Sequence, residues 1–303
     1  MIDLNTLSLP ELFRYFTADG RLNTLLTLAR DEDLGEAGDI TTDLLERGDE
    51  PAAASFVARE AGVVCGLAAL PTLLDVFNAN IDLDLQSNDG AAVEPGTPLA
   101  TLHGPVRELV GIERTMLNFV GRLSGVASQT RRYVEAASVG RSVICDTRKT
   151  TPGWRHLEKY ATRCGGATLH RLGLHDAVLL KDNHLAGLAP HEFADRVRAM
   201  AESARQRFDM RFFEVEVDTL DQFEALLALP DELIDYILLD NMSNDDMQRA
   251  VERRDALGRR VQLEASGGIT LERVGEISRI GVDRISVGAL THAARSLDLG
   301  LDR

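Results

Sequence analysis

Apolar and polar positions along this chain follow two rhythms, and the change between them falls near residue 140. In the first part, residues 106 to 137 place Leu109, Ile112, Met116, Leu117, Val120, Leu123 and Val126 at helical spacing, which predicts one long helix or two in sequence. A helical opening runs over about residues 10 to 30. It is followed by a loop rich in Asp, Gly and Thr from Asp31 to Asp43 and by short strand-like runs such as Ala52 to Val57. Val93 to Gly104 reads as a turn followed by an alternating strand. This part has an α+β pattern.

After residue 140, short β-branched runs end in polar or glycine clusters and give way to helical stretches. Seven such runs are visible: Val143 to Thr147, Ala167 to His170, Ala177 to Lys181, Phe212 to Asp218, Tyr236 to Asn241, Val261 to Gly268 and Arg284 to Leu290. Thr219 with Gln222 forms a capping box, Ser243 can cap a helix starting near Asn244, and Thr270 one that reaches Ile280. Strands alternating with helices imply parallel strands and crossover connections. The pattern therefore divides the chain into residues 1–140, including the long helix, and 141–303, with the last helix free to pack back on the first part.

Seven strands can form an open twisted sheet or an incomplete α/β barrel. The barrel is favoured because the chemically interesting residues fall at the carboxyl ends of nearly every run: Arg148 and Lys149, His170 and Arg171, Lys181, Glu216, Asp240, Ser266 to Gly268, and Gly288. A barrel gathers all of these at one mouth, whereas a doubly wound sheet gathers those beside its switch point.

At 303 residues and 44% apolar content the chain can bury a large core. A formal net charge of −15 argues against a general nucleic-acid or membrane-surface role. No apolar run approaches the length of a membrane span, and no basic region precedes an apolar one at the N-terminus, so a cytoplasmic protein is expected. Cys65, Cys145 and Cys164 are widely spaced, which suits reduced thiols better than a disulfide framework or a zinc site.

Against the acidic background, the stretch from Arg141 to His184 holds eight Lys or Arg and four Asp or Glu. Such a local reversal suggests a site for a small anion. Arg148 and Lys149 precede Thr150-Thr151-Pro152-Gly153, where Pro152 can open a helix and leave N–H groups free. A solvated basic turn is the plainer explanation for this pair alone. Three successive runs ending in base are hard to explain that way.

Glu214 and Glu216 share one face if their run is a strand, and Asp240 ends a nearly pure apolar run. Buried carboxylates need a cation. A structural salt bridge with Lys181 would satisfy that need; so would Mg2+ held directly or through water, and sugar hydroxyls offer a further use. Ser266, Gly267 and Gly268, and then Gly288 and Ala289, place glycine where a strand meets a helix, a geometry that offers backbone N–H groups to a phosphate. No close metal spacing of His, no Walker loop and no Gly-x-Ser-x-Gly elbow occurs, and Trp154 reads as helix packing.

Nine ordered motifs resemble those of the quinolinate phosphoribosyltransferase family: Glu32-Asp-Leu-Gly with Gly38-Asp-Ile-Thr-Thr, Glu113-Arg-Thr-x-Leu-Asn, Asp146-Thr-Arg-Lys-Thr-Thr-Pro-Gly, His170-Arg-Leu-Gly-Leu-His-Asp, Lys181-Asp-Asn-His, Glu214-Val-Glu-Val-Asp, Leu239-Asp-Asn, Ser266-Gly-Gly-Ile and Gly288-Ala-Leu-Thr-His. The resemblance covers nearly the whole chain. It implies an N-terminal α/β sandwich before an open α/β barrel, and phosphoribosyl transfer from phosphoribosyl pyrophosphate to quinolinate with decarboxylation. It implies a homodimer, or a higher oligomer built on it, in which each chain completes the other's site. Arg148, His170, Arg171 and Lys181 would bind the two carboxylates, with Lys149 between quinolinate and phosphate groups and Arg114 reaching in from the partner. Glu216 and Asp240 would serve the ribose hydroxyls and Mg2+, with Lys181, Glu216 and Asp240 as the catalytic set. The two glycine turns would hold the 5′-phosphate, and no organic cofactor is implied. The alternatives are a phosphoribosyltransferase of the same fold acting on nicotinate or another heteroaromatic acid, and an anion-binding protein without turnover.

Overall fold

The computed structural model describes residues 2–44, 47–185, 187 and 190–303. In chain order, α1 (Leu9–Thr17) and α2 (Arg21–Leu34) precede β1 (Pro51–Ala58), β2 (Gly62–Val63), α3 (Leu70–Phe77), β3 (Asp82–Leu85), β4 (Ala92–Val93) and β5 (Pro98–Pro105). The long helix α4 (Val106–Ala137) leads to β6 (Val143–Cys145), α5 (Arg155–Cys164), β7 (Val178–Leu180), α6 (Asp182–Leu185) and α7 (Phe193–Arg207). Then come β8 (Phe213–Val217), α8 (Leu220–Leu227), β9 (Tyr236–Asp240), α9 (Asn244–Ala256), β10 (Gln262–Ser266) and α10 (Leu271–Ile280). The chain closes with β11 (Arg284–Ser286), α11 (Ala289–His292) and β12 (Leu299–Asp302).

Two compact units interleave along this order. One comprises residues 7–131, 150–166 and 290–303, the other residues 1–6, 132–149 and 167–289. The chain thus passes between them several times and not at a single point near residue 140.

The first unit is built on an antiparallel sheet in the order β12-β1-β5-β3, with β2 and β4 paired beside it. Residues 290–303 group with this unit and end in a strand: Leu299 to Asp302 align with Ala58 to Ser55, because Leu299 and Leu301 supply the alternation that an open sheet edge accepts. The helical opening is two helices, broken at Gly20, which stands at φ +78°. The loop expected from Asp31 begins only after Leu34, since α2 continues until Gly35 turns left-handed. Residues 106–137 form one helix, and Leu109, Ile112, Met116, Val120, Leu123 and Val126 are buried along it. Helix α5 begins at Arg155, three residues after Pro152. Thr151 gives its N–H to the buried Glu158 carboxylate at 2.9 Å and its hydroxyl to the same group at 2.9 Å, so this N–H is already used. Arg122 completes that carboxylate's coordination at 2.6 Å. Trp154 packs on Phe119 with ring centroids 5.4 Å apart.

The second unit carries a parallel sheet in the order β6-β11-β10-β9-β8-β7. Its connecting helices make it an open α/β barrel, as the alternation predicts. Six of the seven runs are strands. The seventh, at 167–170, makes only a bridge between Thr168 and Cys145, because Thr168 exchanges backbone hydrogen bonds with residues 144 and 146 and the chain then turns away at Arg171. That leaves the sheet open between this bridge and β7. Every residue of β8 is buried. Phe213, Val215 and Val217 lie on one face and Glu214 and Glu216 on the other, so the polar face of the strand turns inward. The capping box at Thr219 and Gln222 forms, and Ser243 accepts the Asp246 N–H at 3.1 Å. Thr270 occupies its cap position without a side-chain hydrogen bond to the helix backbone.

Candidate active site

The inward residues of the barrel fall into two groups. Ser266 pairs with Asp240, and the Asp240 charge acts on Glu216, so these three form an upper group at the carboxyl ends of their strands. Lys181 follows the last residue of β7, and Gly288 lies two residues beyond β11. One strand period below, Glu264 pairs with Arg284 and Glu214 with Tyr236.

In the upper layer the ammonium of Lys181 donates to Glu216, whose side chain is 7% exposed against 43% for Lys181. The structural salt bridge foreseen from sequence therefore exists. Its cation is half open to the mouth and able to meet a further anion. The backbone N–H of Lys181 donates to Nδ1 of His184 at 2.9 Å, which fixes the turn that presents it. Burial raises the Glu216 carboxyl above its ordinary range; Lys181 pulls against that, and neighbouring Asp240 adds to it. Asp240 in turn accepts from the Asn241 amide at 2.6 Å.

Arg148 and Arg171 form the cationic side. Burial and then the nearby Arg148 guanidinium lower the Arg171 pKa, two effects that favour an anion between them. Arg171 is buried, with Nη1 on the Ala177 carbonyl at 3.3 Å. Nε of Arg148 is buried with no hydrogen-bond partner among the described residues, a donor left for an incoming acceptor. Lys149 is exposed in the same turn, where its N–H bonds Thr147 Oγ1 at 3.0 Å.

His170 is placed differently from its neighbours. Its ring lies in the lower layer, with Nε2 3.1 Å from Glu214 and 3.5 Å from Glu264. Burial alone would lower its pKa, but the two carboxylates outweigh burial and push it up to about 9. The Arg171 N–H approaches Nδ1 to 2.7 Å, a contact that only an unprotonated nitrogen can accept. One neutral hydrogen bond is worth about 1 kcal/mol, whereas an uncompensated buried charge costs several, so charge balance decides for the imidazolium. Arg284 donates to Glu214 at 3.0 Å and to Glu264, and lies 3.4 Å above the Tyr236 ring. Arg284 and His170 together hold the Glu264 carboxyl well below the usual range in spite of its burial.

Sequence reasoning missed Glu264 and Arg284 as interior charges. The signal was a charged residue within the run Val261 to Gly268 and one opening the run Arg284 to Leu290, two positions before Ser266 and two before Ser286. His170, Glu214 and Glu264 also have ligand atoms within 4.8 Å of one another, as a metal site would. The Arg284 guanidinium already supplies the cation there.

The glycine turns close the mouth on the side of β9 and β10. Gly267 and Gly268 stand at φ +87° and +58°, and Asn241, itself at +52°, gives its N–H to the Ser266 carbonyl at 3.0 Å. Gly288 leads into the four-residue α11, which starts at Ala289. Arg114 stands in the other unit on α4. There it lines a cavity of about 370 Å3 with Glu32, Asp33, Thr115, Asn118 and Arg122.

Bases and carboxylates at the carboxyl ends of parallel strands are what the family expected from sequence would require. The profile of the quinolinate phosphoribosyl transferase C-terminal domain matches residues 126–302, and that of the N-terminal domain matches residues 39–124. The chain belongs to the quinolinate phosphoribosyl transferase family. Within this family it is similar to the nicotinate-nucleotide pyrophosphorylase [carboxylating] of Mycobacterium leprae, at 44% identity over 89% of this chain and 93% of the relative. A probable nicotinate-nucleotide pyrophosphorylase [carboxylating] of Bacillus subtilis is 38% identical over 89% of each chain. The solved structure of the nicotinate-nucleotide pyrophosphorylase from Francisella tularensis superimposes with a TM-score of 0.85, at 33% identity, over 100% of this chain and 99% of that one. The family's two domains thus account for residues 39–302. No helix among the described residues is long and apolar enough to cross a membrane.

Proposed function

We propose that the chain transfers phosphoribose from phosphoribosyl pyrophosphate to the ring nitrogen of quinolinate, releasing pyrophosphate and CO2 and giving nicotinate mononucleotide for NAD biosynthesis. The observation that carries this reading is the pairing of Lys181 with Glu216 beside Asp240, on the same barrel that carries Arg148 and Arg171. A diacid needs several cations, and a sugar losing its leaving group needs carboxylates. An anion-binding protein has no use for the second set.

In this reading Arg148, Lys149, Arg171 and Lys181 hold the two carboxylates of quinolinate, with His170 supporting them from the layer below. Planar guanidinium forks suit carboxylates, while Lys supplies compact charge. Departure of pyrophosphate leaves oxocarbenium-like charge on the ribose, which Glu216 and Asp240 stabilise while they bind its hydroxyls. Ser266, Gly267, Gly268, Gly288 and Ala289 hold the 5′-phosphate through backbone N–H groups. Once quaternised, the ring nitrogen stabilises the electron pair left on the adjacent carbon as CO2 departs, and that carbon then takes a proton. No covalent nucleophile is required.

Glu216 and Asp240 also form a hard-oxygen donor pair of the kind Mg2+ takes, directly or through water. When bound, Mg2+ offsets charge on the pyrophosphate leaving group. The reading further includes a homodimer in which Arg114 reaches the partner's site, and a cytoplasmic location, which the three buried, unbridged cysteines favour.

Purified protein given quinolinate, phosphoribosyl pyrophosphate and Mg2+ is expected to release CO2 and nicotinate mononucleotide in equal amounts. Turnover of nicotinate but not quinolinate would overturn the assignment of substrate. Binding of quinolinate without product would overturn the assignment of catalysis.

A further inference from the structure

In the charged layer beneath the proposed site, Arg284, Glu214 and Glu264 touch no substrate in the reading above, yet all three are buried and face one another and His170. A buried charge network is seldom the most stable filling for a core, since apolar residues of similar volume do as well or better. What such a network supplies is fixed orientation. We propose that Arg284 is a positioning residue for the diacid site, acting through Glu214, Glu264 and His170 on the turn that carries Arg171. The inference rests on the reading of Arg171 as a carboxylate-binding group that His170 supports from below.

The contacts run in one direction. Arg284 bonds both carboxylates with its planar fork, and its guanidinium carbon is 3.4 Å from the Tyr236 ring centroid and 5.0 Å from that of Phe212, so the side chain has little room to swing. The two carboxylates, on separate strands, stand 3.1 and 3.5 Å from Nε2 of His170 as ion pairs, and Phe212 meets the imidazole edge-on at 5.2 Å. The His170 N–H donates to the buried Asp146 at 2.8 Å, which holds the backbone as the ring is held. Arg171 leaves the chain at the next peptide. A lysine in place of Arg284 would keep the charge but could not bond two carboxylates in one plane.

The test compares wild-type enzyme with Arg284→Lys, Arg284→Gln and the charge-balanced double variant Arg284→Gln/Glu264→Gln. The expected result is a rise of about 10- to 100-fold in the KM for quinolinate, as for a binding group displaced by about 1 Å. The KM for phosphoribosyl pyrophosphate should stay unchanged, and Arg284→Lys should show the smaller effect. Thermal stabilisation by quinolinate alone should weaken in the same order, without any need for turnover. Three outcomes would overturn the inference: an unchanged quinolinate KM in folded variants, parallel rises in both KM values, or failure of both Arg284→Lys and the double variant to fold, which would assign the layer to stability alone. Loss of the underlying reading is a separate result, because wild-type enzyme would then fail to turn quinolinate over.

Discussion

A Cβ built on Gly267 would stand 2.3 Å from the side-chain oxygen of Asn241 and 2.9 Å from its backbone nitrogen. The turns after β9 and β10 are thus closed against each other with no space for a methyl group. Gly267→Ala should cost about 2 to 3 kcal/mol, from the left-handed backbone together with the clash. If the turn holds the 5′-phosphate, the KM for phosphoribosyl pyrophosphate should rise more than that for quinolinate. Urea denaturation and steady-state kinetics on the same preparation check both halves.

Among the described residues, the ion pair of Glu216 is with Lys181. Lys181→Met should lower kcat/KM for quinolinate by about 10- to 100-fold, the worth of one charge-assisted hydrogen bond. It should also move the acid limb of the pH profile upward. Burial already raises the Glu216 carboxyl, and Lys181 is the group that opposes it. Lys181→Arg should restore the pH limb more fully than the rate.

His170 makes a stability prediction with a definite sign. Its pKa is raised to about 9 in the folded protein, so the stabilisation is complete below its unfolded value of about 6.5 and is lost as pH rises through about 9. The size is roughly 3 kcal/mol, shared with the carboxylates it faces. Denaturation midpoints of the wild type should fall across this window, and those of His170→Asn should not.

Arg114 and Lys181 lie in different units of the chain. In the proposed shared site, Arg114→Ala and Lys181→Ala homodimers are each weakly active, and mixing them restores part of the activity as subunits exchange. Exchange demonstrated by mass spectrometry without recovered activity would argue against sharing.

The barrel was legible because its strands are local runs with a buried outer face. Residues at their carboxyl ends are found by position alone, as Lys181, Glu216 and Asp240 were. Ala167 to His170 misled because its pattern is that of a strand, whereas pairing depends on a neighbour that the sequence does not name. Glu158 reads as one more charge on a helix face, yet it is buried and binds Thr151 and Arg122. Arg284 hid for the opposite reason, since a charge within a β-branched run suggests an edge and not an interior. Each miss turns on a contact outside the helical or strand period, and periodicity carries no information about these.

The pairing of β12 with β1 has a consequence in time. During synthesis, residues 51–105 emerge and can form three of this sheet's strands, β1, β5 and β3, while the edge of β1 waits for residues 299–302, about 200 residues later. At ordinary rates of translation that is about 10 to 40 s. Through that interval the nascent chain exposes a row of unpaired backbone groups, the feature by which strands recruit other strands. Crowded ribosomes and high expression should therefore threaten this protein at an edge that the finished fold conceals.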